Sequence, residues 1–201
     1  MERLPTWYEF TTSASTDERS SRVREQEDLR RFERIVLPHL GAGYNLARWL
    51  TRNAHDAEDV VQEAYLRALR SFDRYRGGDA RAWVLTIVRN TCYSWLRRNR
   101  AYETLHSADP VDDGAAEIVA DPSAQPEVQL LRDVDRRLLQ DALEALPTPF
   151  REALVLRELE GFSYKEIADI ADVPVGTVMS RLARARQQVQ RFVLQRTKEG
   201  G

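Results

Sequence analysis

Apolar residues recur along most of this chain at intervals of three and four, the spacing that gathers side chains on one face of a helix. Ala57, Val61, Ala64, Ala68 and Phe72 form one such stripe, while Asp59, Gln62, Glu63 and Arg70 fall on other faces. The pattern predicts a turn at Asn53-Ala54-His55, then a long helix capped by Asp56 and running to about Phe72. Upstream, Arg30 to Leu50 has helical spacing, and Pro38 predicts a break or kink because its ring clashes inside a continuing helix. Gly77-Gly78 opens a loop, and a further helix is predicted from about Ala80 to Arg98. A second helical group starts near Asp135. It includes Leu138 to Leu146, then Thr148 as a cap with Pro149 at the first helical position, and it closes at Gly161.

The pattern is sharpest from Ser163 to Gln190. Ser163 stands three residues before Glu166, the spacing of a capping box in which each side chain satisfies a backbone N–H left open by the helix start. Ile167, Ala168 and Ile170 are its apolar side. Ala171-Asp172-Val173-Pro174 interrupts the helix, and Pro174 suits the first turn of the next. There Val178, Leu182, Ala185 and Val189 share one stripe, and Thr177, Ser180, Arg181, Arg184 and Gln188 share the opposite one. Two helices across a tight turn, the second with a hydroxyl- and guanidinium-bearing face, form the helix-turn-helix pattern that reads DNA in the major groove. A helical hairpin with a solvated charged face has the same spacing. Charge separates the two readings: Gly176 to Lys198 carries six Lys or Arg and no Asp or Glu, whereas a merely solvated helix mixes the signs.

The chain's net charge of −2 hides a strong segregation. Residues 36–100 carry +5, residues 101–133 carry −7 and residues 134–201 carry +1, with the positive charge gathered at the end. Two positive modules joined by an acidic strap therefore point to anionic partners. The strap contains Pro110, Gly114, Pro122 and Pro126 among Ser, Ala and Asp, which is linker composition. Residues 1–25, small and polar with alternating charges, read as a poorly ordered extension. The expected organisation is an extension (1–25), a helical domain (26–100), an acidic linker (101–134), a second helical domain (135–196) and a tail (197–201). The expected fold class is all-α: two small helical domains and a flexible linker.

Several classes of chemistry find no support. The apolar runs, such as Trp83 to Val88, are too short to span a bilayer, and no signal-peptide pattern opens the chain, so a cytoplasmic protein without membrane insertion is expected. Cys92 has no partner for a disulfide and reads as a small buried residue. His39, His55 and His106 have no metal-ligand spacing, and no glycine-rich phosphate loop or His-Glu-x-x-His motif occurs, so no enzyme, metal or cofactor is expected.

The first module interleaves cations with aromatics: Tyr75, Arg76, Arg81 and Trp83, then Tyr93 and Trp95 ahead of Arg97-Arg98. Cations neutralise phosphate and rings stack on unpaired bases, although each ring could equally serve the core. Asn90 has an amide suited to a base edge or to a neighbouring side chain.

Taken in order, these segments resemble a known family. Asp56-Ala57-Glu58-Asp59-Val60-Val61-Gln62-Glu63-Ala64-Tyr65-Leu66-Arg67-Ala68, Tyr75-Arg76-Gly77-Gly78-Asp79 with Trp83, Arg89-Asn90-Thr91 and Trp95-Leu96-Arg97-Arg98 resemble the second conserved region of sigma factors. Leu143 to Pro147, Leu154-Val155-Leu156-Arg157-Glu158, Gly161 to Ala168 and Pro174 to Leu182 resemble the fourth. With only these two regions, the chain is similar to the extracytoplasmic-function bacterial RNA polymerase sigma factors over roughly residues 27–195.

The resemblance implies a subunit that docks on core RNA polymerase, recognises two promoter elements and melts one. It implies that Asp56, Asp59, Gln62 and Glu63 meet the β′ coiled coil. It implies that Tyr75, Arg76, Arg81, Trp83, Asn90, Ser94, Arg97 and Arg98 serve the −10 element, with a base flipped into a pocket. It assigns Thr177, Ser180, Arg181 and Arg184 to the −35 duplex. Leu85 and Ser94 depart from pocket residues of some relatives, and Met179 and Ala183 from larger or basic contacts, so the promoter bases do not transfer. The second module would also dock on the β flap; Leu154, Val155 and Phe162 read as core there. An anti-sigma protein is an implied partner. Asp109, Asp112, Asp113, Glu117 and Asp121 would imitate RNA phosphates or form a solvated tether, and charge alone fits both. The competing reading is a conventional helix-turn-helix regulator that binds duplex DNA without polymerase. It leaves Asp56–Phe72 and Trp83–Arg98 without a purpose.

Overall fold

The computed structural model describes residues 26–106 and 137–199, and every regular element among them is helical. The expected extension and most of the acidic strap, with Asp109, Asp112, Asp113, Glu117 and Asp121, lie outside the described residues. The chain separates into two compact units, 1–38 and 39–201. In the first, helix α1 (26–36) has Phe32 and Val36 as its buried positions. The break at Pro38 is a single tight turn, Leu37–His39.

The second unit begins with α2 (Leu40–Thr51), whose Leu46, Ala47, Trp49 and Leu50 are buried. Arg52 ends it at φ 65°, its N–H donating to the Arg48 carbonyl at 3.0 Å. Helix α3 (Ala54–Arg70) follows, with Ala57, Val61, Ala64 and Ala68 buried as the periodicity predicts. Its cap is Asn53 rather than Asp56. The Asn53 side chain accepts from the Asp56 N–H at 2.9 Å, so the helix starts two residues before the expected cap. Both residues carry a suitable side-chain oxygen, and the one with extended backbone takes the cap. Phe72 is buried as expected but sits in the tight turn Phe72–Arg74 beyond the helix.

Helix α4 (Ala80–His106) runs past the expected Arg98. Asp79 caps it, accepting from the N–H groups of Arg81 and Ala82 at 2.8 and 3.2 Å. Helices α2, α3 and α4 pack on one another around Leu46, Leu50, Val60, Leu85 and Val88. Cys92 is buried there, and burial pushes its thiol up to about 12.

The second helical group comprises α5 (137–144), α6 (Thr148–Leu154), α7 (Tyr164–Ala171) and α8 (Val175–Glu199). Thr148 does not cap α6: Pro147 holds that position and Pro149 lies within the first turn, where a missing N–H costs nothing. After α6 the chain widens into one π-type turn, Val155–Leu159, closed by Glu160 N–H to the Val155 carbonyl at 3.1 Å. Gly161, at φ 72°, leaves it. The capping box on α7 is formed: Ser163 N–H donates to Glu166 Oε2 at 2.7 Å and Glu166 N–H to Ser163 Oγ at 3.3 Å. Asp172 ends α7 at φ 51°, and Pro174 precedes α8 rather than entering it, its carbonyl accepting from Thr177 N–H at 2.8 Å. Val178, Leu182 and Ala185 are buried against α6 and α7. The two helical groups also meet, α4 on α7 and α2 on α6. Among the described residues, no helix is long and apolar enough to cross a membrane.

Candidate nucleic-acid interface

Three surfaces carry the residues singled out from sequence. The first is the outer face of α3. Asp59 and Gln62 are exposed, Asp56 and Glu63 half-buried. Glu63 is held by Arg67, one helical turn on, and by Arg98 of α4 at 3.2 Å. Partial burial works against the Glu63 charge, but the hydrogen bonds from Arg67 and Arg98 outweigh it and keep the carboxyl below its ordinary range. Leu66 and Leu69 complete this face, 54% and 42% exposed. Sequence reasoning passed over them, although an apolar residue off the buried stripe at this spacing was the available signal.

The second surface runs from the loop after α3 along α4. Tyr75 stacks on Phe72 at 5.9 Å, and Trp83 lies 5.1 Å from the Tyr75 ring. The Tyr75 hydroxyl donates to the Gly78 carbonyl at 2.7 Å, closing a loop in which Gly77 and Gly78 stand at φ 94° and 98°. These conformations favour glycine. Arg76 is exposed at the loop tip. Asn90, Ser94 and Arg97 follow one line of α4, with Asn90 and Arg97 exposed. Asn90 Oδ1 accepts from Arg89 Nη1 at 3.0 Å, and the Ser94 hydroxyl accepts from Arg97 Nη2 at 3.3 Å. Arg81 is turned aside: it pairs with Glu160, donates to the Glu160 carbonyl at 2.7 Å and lies over the Phe162 ring at 4.7 Å.

The third surface is the free face of α8. Ser180, Arg184 and Met179 are exposed, and Thr177 is half-buried. Arg181 differs: its Nη1 lies 3.6 Å from Glu152 Oε2, and only 21% of its side chain is exposed.

Glu152 is itself a focus that sequence reasoning missed. Only 1% of its side chain is exposed. Arg89 Nε donates to its Oε1 at 2.7 Å and the Tyr93 hydroxyl to its Oε2 at 3.0 Å. Arg89 also lies over the Tyr93 ring at 4.3 Å. Burial, then the adjacent Glu152 charge, pushes the Tyr93 hydroxyl pKa well up. The signal in the sequence was a glutamate immediately before the apolar run Ala153 to Leu156, where a buried charge demands partners. Those partners lie 59 and 63 residues away, which periodicity cannot supply.

The chain matches the family models Sigma-70 region 2 over residues 35–102 and Sigma-70, region 4 over residues 136–189. It is similar to the ECF RNA polymerase sigma factor SigE of Mycolicibacterium smegmatis, 36% identical over 178 residues, which is 87% of this chain and 66% of that protein. The ECF RNA polymerase sigma-E factor of Haemophilus influenzae is 37% identical over 149 residues, 72% of this chain and 77% of that one. Among solved structures, the sigma factor RpoE of Bartonella quintana, crystallised with the anti-sigma factor NepR, aligns with a TM-score of 0.68 at 29% identity. That alignment covers 81% of this chain and 96% of the other.

Proposed function

We propose how this chain works from one established premise: it belongs to the extracytoplasmic-function family of RNA polymerase sigma factors. It is an alternative sigma factor that binds core polymerase and directs transcription from promoters with −10 and −35 elements, under the control of an anti-sigma partner. It acts where the polymerase is, in the cytoplasm. It is a specificity subunit, and bond formation belongs to the polymerase. The observation that carries this reading is the pairing of region 2 over 35–102 with region 4 over 136–189 in one chain.

The assignment of residues is our own. The α3 face with Asp56, Asp59, Gln62 and Glu63 docks on the β′ coiled coil, and exposed Leu66 and Leu69 add apolar area to that contact. Tyr75, Arg76, Trp83, Asn90, Ser94, Arg97 and Arg98 receive the opened −10 strand: cations on phosphate, rings and amide toward bases. Arg81 joins them once released from Glu160. Ser180 and Arg184, supported by Thr177, face the −35 duplex from the major groove. Arg181 is oriented there by Glu152. The domains 26–100 and 135–196 act as the two readers. Region 4 also meets the β flap.

Co-sedimentation with core polymerase tests the docking assignment. Leu66→Glu with Gln62→Ala weakens assembly about tenfold or more while leaving the helical circular dichroism intact. Unchanged assembly would remove α3 from the interface.

A further inference from the structure

Two lines of side chains run side by side on the free part of α8. Ser180 and Arg184, four residues apart, form the polar one. Val175, Met179 and Ala183, at the same interval, form the other, and none of the three has a polar side-chain atom. Val175 is 41% exposed, Met179 54%, and Ala183 is exposed as well. The core stripe of this helix is Val178, Leu182 and Ala185, so the second line adds nothing to the interior. A single exposed apolar residue is ordinary, but a strip of them beside polar residues marks a surface that meets something.

Gly176 lies between Val175 and Thr177 in the first turn of α8 and is exposed. Its backbone is helical, and a Cβ built there would meet nothing within 4 Å. Neither backbone conformation nor packing within the chain calls for a residue that helices tolerate less well than alanine. Close approach of the helix to a ligand does. Charge names the class of ligand. Gly176 to Lys198 carries six Lys or Arg and no Asp or Glu, which suits a polyanion. In the major groove of a duplex, adenine, guanine and cytosine present polar edges, and the apolar feature is the C5-methyl group of thymine.

We infer that Met179, flanked by Val175 and Ala183, is a specificity-determining residue that packs on thymine methyl groups of the −35 duplex, with Gly176 giving the helix the clearance to bring it there. Ser180 and Arg184 supply hydrogen bonds from the adjacent line, so polar and apolar features of the groove are read together. Methionine suits the task, because its unbranched, polarisable side chain adapts to the exact position of a methyl group. An arginine or lysine at this position would select guanine through O6 and N7, whereas Met179 selects a T·A pair. The inference rests on the sigma-factor reading and deepens it by naming a base that the second module prefers.

The test uses holoenzyme reconstituted from core polymerase and the full chain. Run-off transcription on genomic fragments first supplies a promoter. That promoter is then synthesised with every thymine of its −35 region, on both strands, replaced by deoxyuridine, which removes the methyl group and leaves base pairing unchanged. Fluorescence anisotropy measures binding to the two DNAs. Wild-type holoenzyme loses about fourfold in affinity for each methyl group that Met179 covers, the equivalent of ~0.8 kcal/mol. Met179→Ala weakens binding to the thymine promoter and removes the difference between the two DNAs. Ser180→Ala weakens binding to both and keeps the wild-type ratio. Met179 is exposed, so its replacement leaves the helix intact, which circular dichroism verifies. Equal wild-type affinity for the two DNAs, or a ratio that survives Met179→Ala, would overturn the inference. Transcription separates the two levels: transcripts from a promoter bound equally in both forms refute the methyl contact alone, whereas no transcript from wild type refutes the sigma-factor reading beneath it.

Discussion

Removing the Glu152 side chain is the most consequential single change the structure offers. The carboxylate accepts from Arg89 at 2.7 Å and Tyr93 at 3.0 Å and neutralises Arg181 at 3.6 Å. Deleting one partner of a buried ion pair costs about 3–5 kcal/mol, chiefly because the other charge is left without compensation. Here the stranded guanidiniums keep 16% and 21% exposure and can turn partly toward water, which places Glu152→Ala near the lower end, about 3 kcal/mol. For a chain of this size each kcal/mol shifts Tm by roughly 2–4 °C, so the expected loss is roughly 6–12 °C. Glu152→Gln retains an acceptor for Arg89 and loses the charge, so it falls between wild type and alanine. Differential scanning calorimetry on the free chain measures both. A shift of about 2 °C or less for Glu152→Ala would show that the cluster is not a buried hub and would refute the reasoning.

Ser163→Ala removes one half of the capping box on α7 and lowers stability by about 1 kcal/mol, readable by urea denaturation. Ser163 holds the Glu166 carboxyl below its usual range, so this support is present above about pH 4.5 and is lost as pH falls through the lowered folded value. Native Cys92 resists iodoacetamide at pH 9 and reacts in urea, because burial raises its thiol to about 12. The stability tied to that thiol is fully present below its unfolded value of 9.0 and is lost as pH rises toward about 12, as alkaline unfolding curves will record. Arg184→Ala weakens binding of the −35 duplex by roughly 10–100-fold if it makes a matched base pair contact, measured by anisotropy with the promoter fragment.

The helix-turn-helix was legible because its information is local. A capping box and a 3.6-residue stripe lie within one helix each, and Val178, Leu182 and Ala185 are buried where that spacing placed them. Helix starts were less legible, since Asn53 and Asp56, or Pro147 and Thr148, offer similar chemistry a few residues apart and backbone conformation chooses between them. The ion pairs between the two helical groups were illegible. Arg81 and Glu160 stand 79 residues apart, and an arginine on an exposed-looking helix face carries no mark of the carboxylate that holds it. For the same reason Arg181 read as a free DNA contact, while its proximity to Glu152 makes its orientation depend on a residue from another helix.

Run-off transcription tests the central claim most directly. Core bacterial polymerase, this protein and a pool of genomic promoter fragments are combined, with Ser180→Ala plus Arg184→Ala as the companion variant because neither residue belongs to the Glu152 cluster. The account predicts discrete transcripts that require the protein and fall at least about tenfold with the variant. DNA binding without any polymerase-dependent transcript would contradict it.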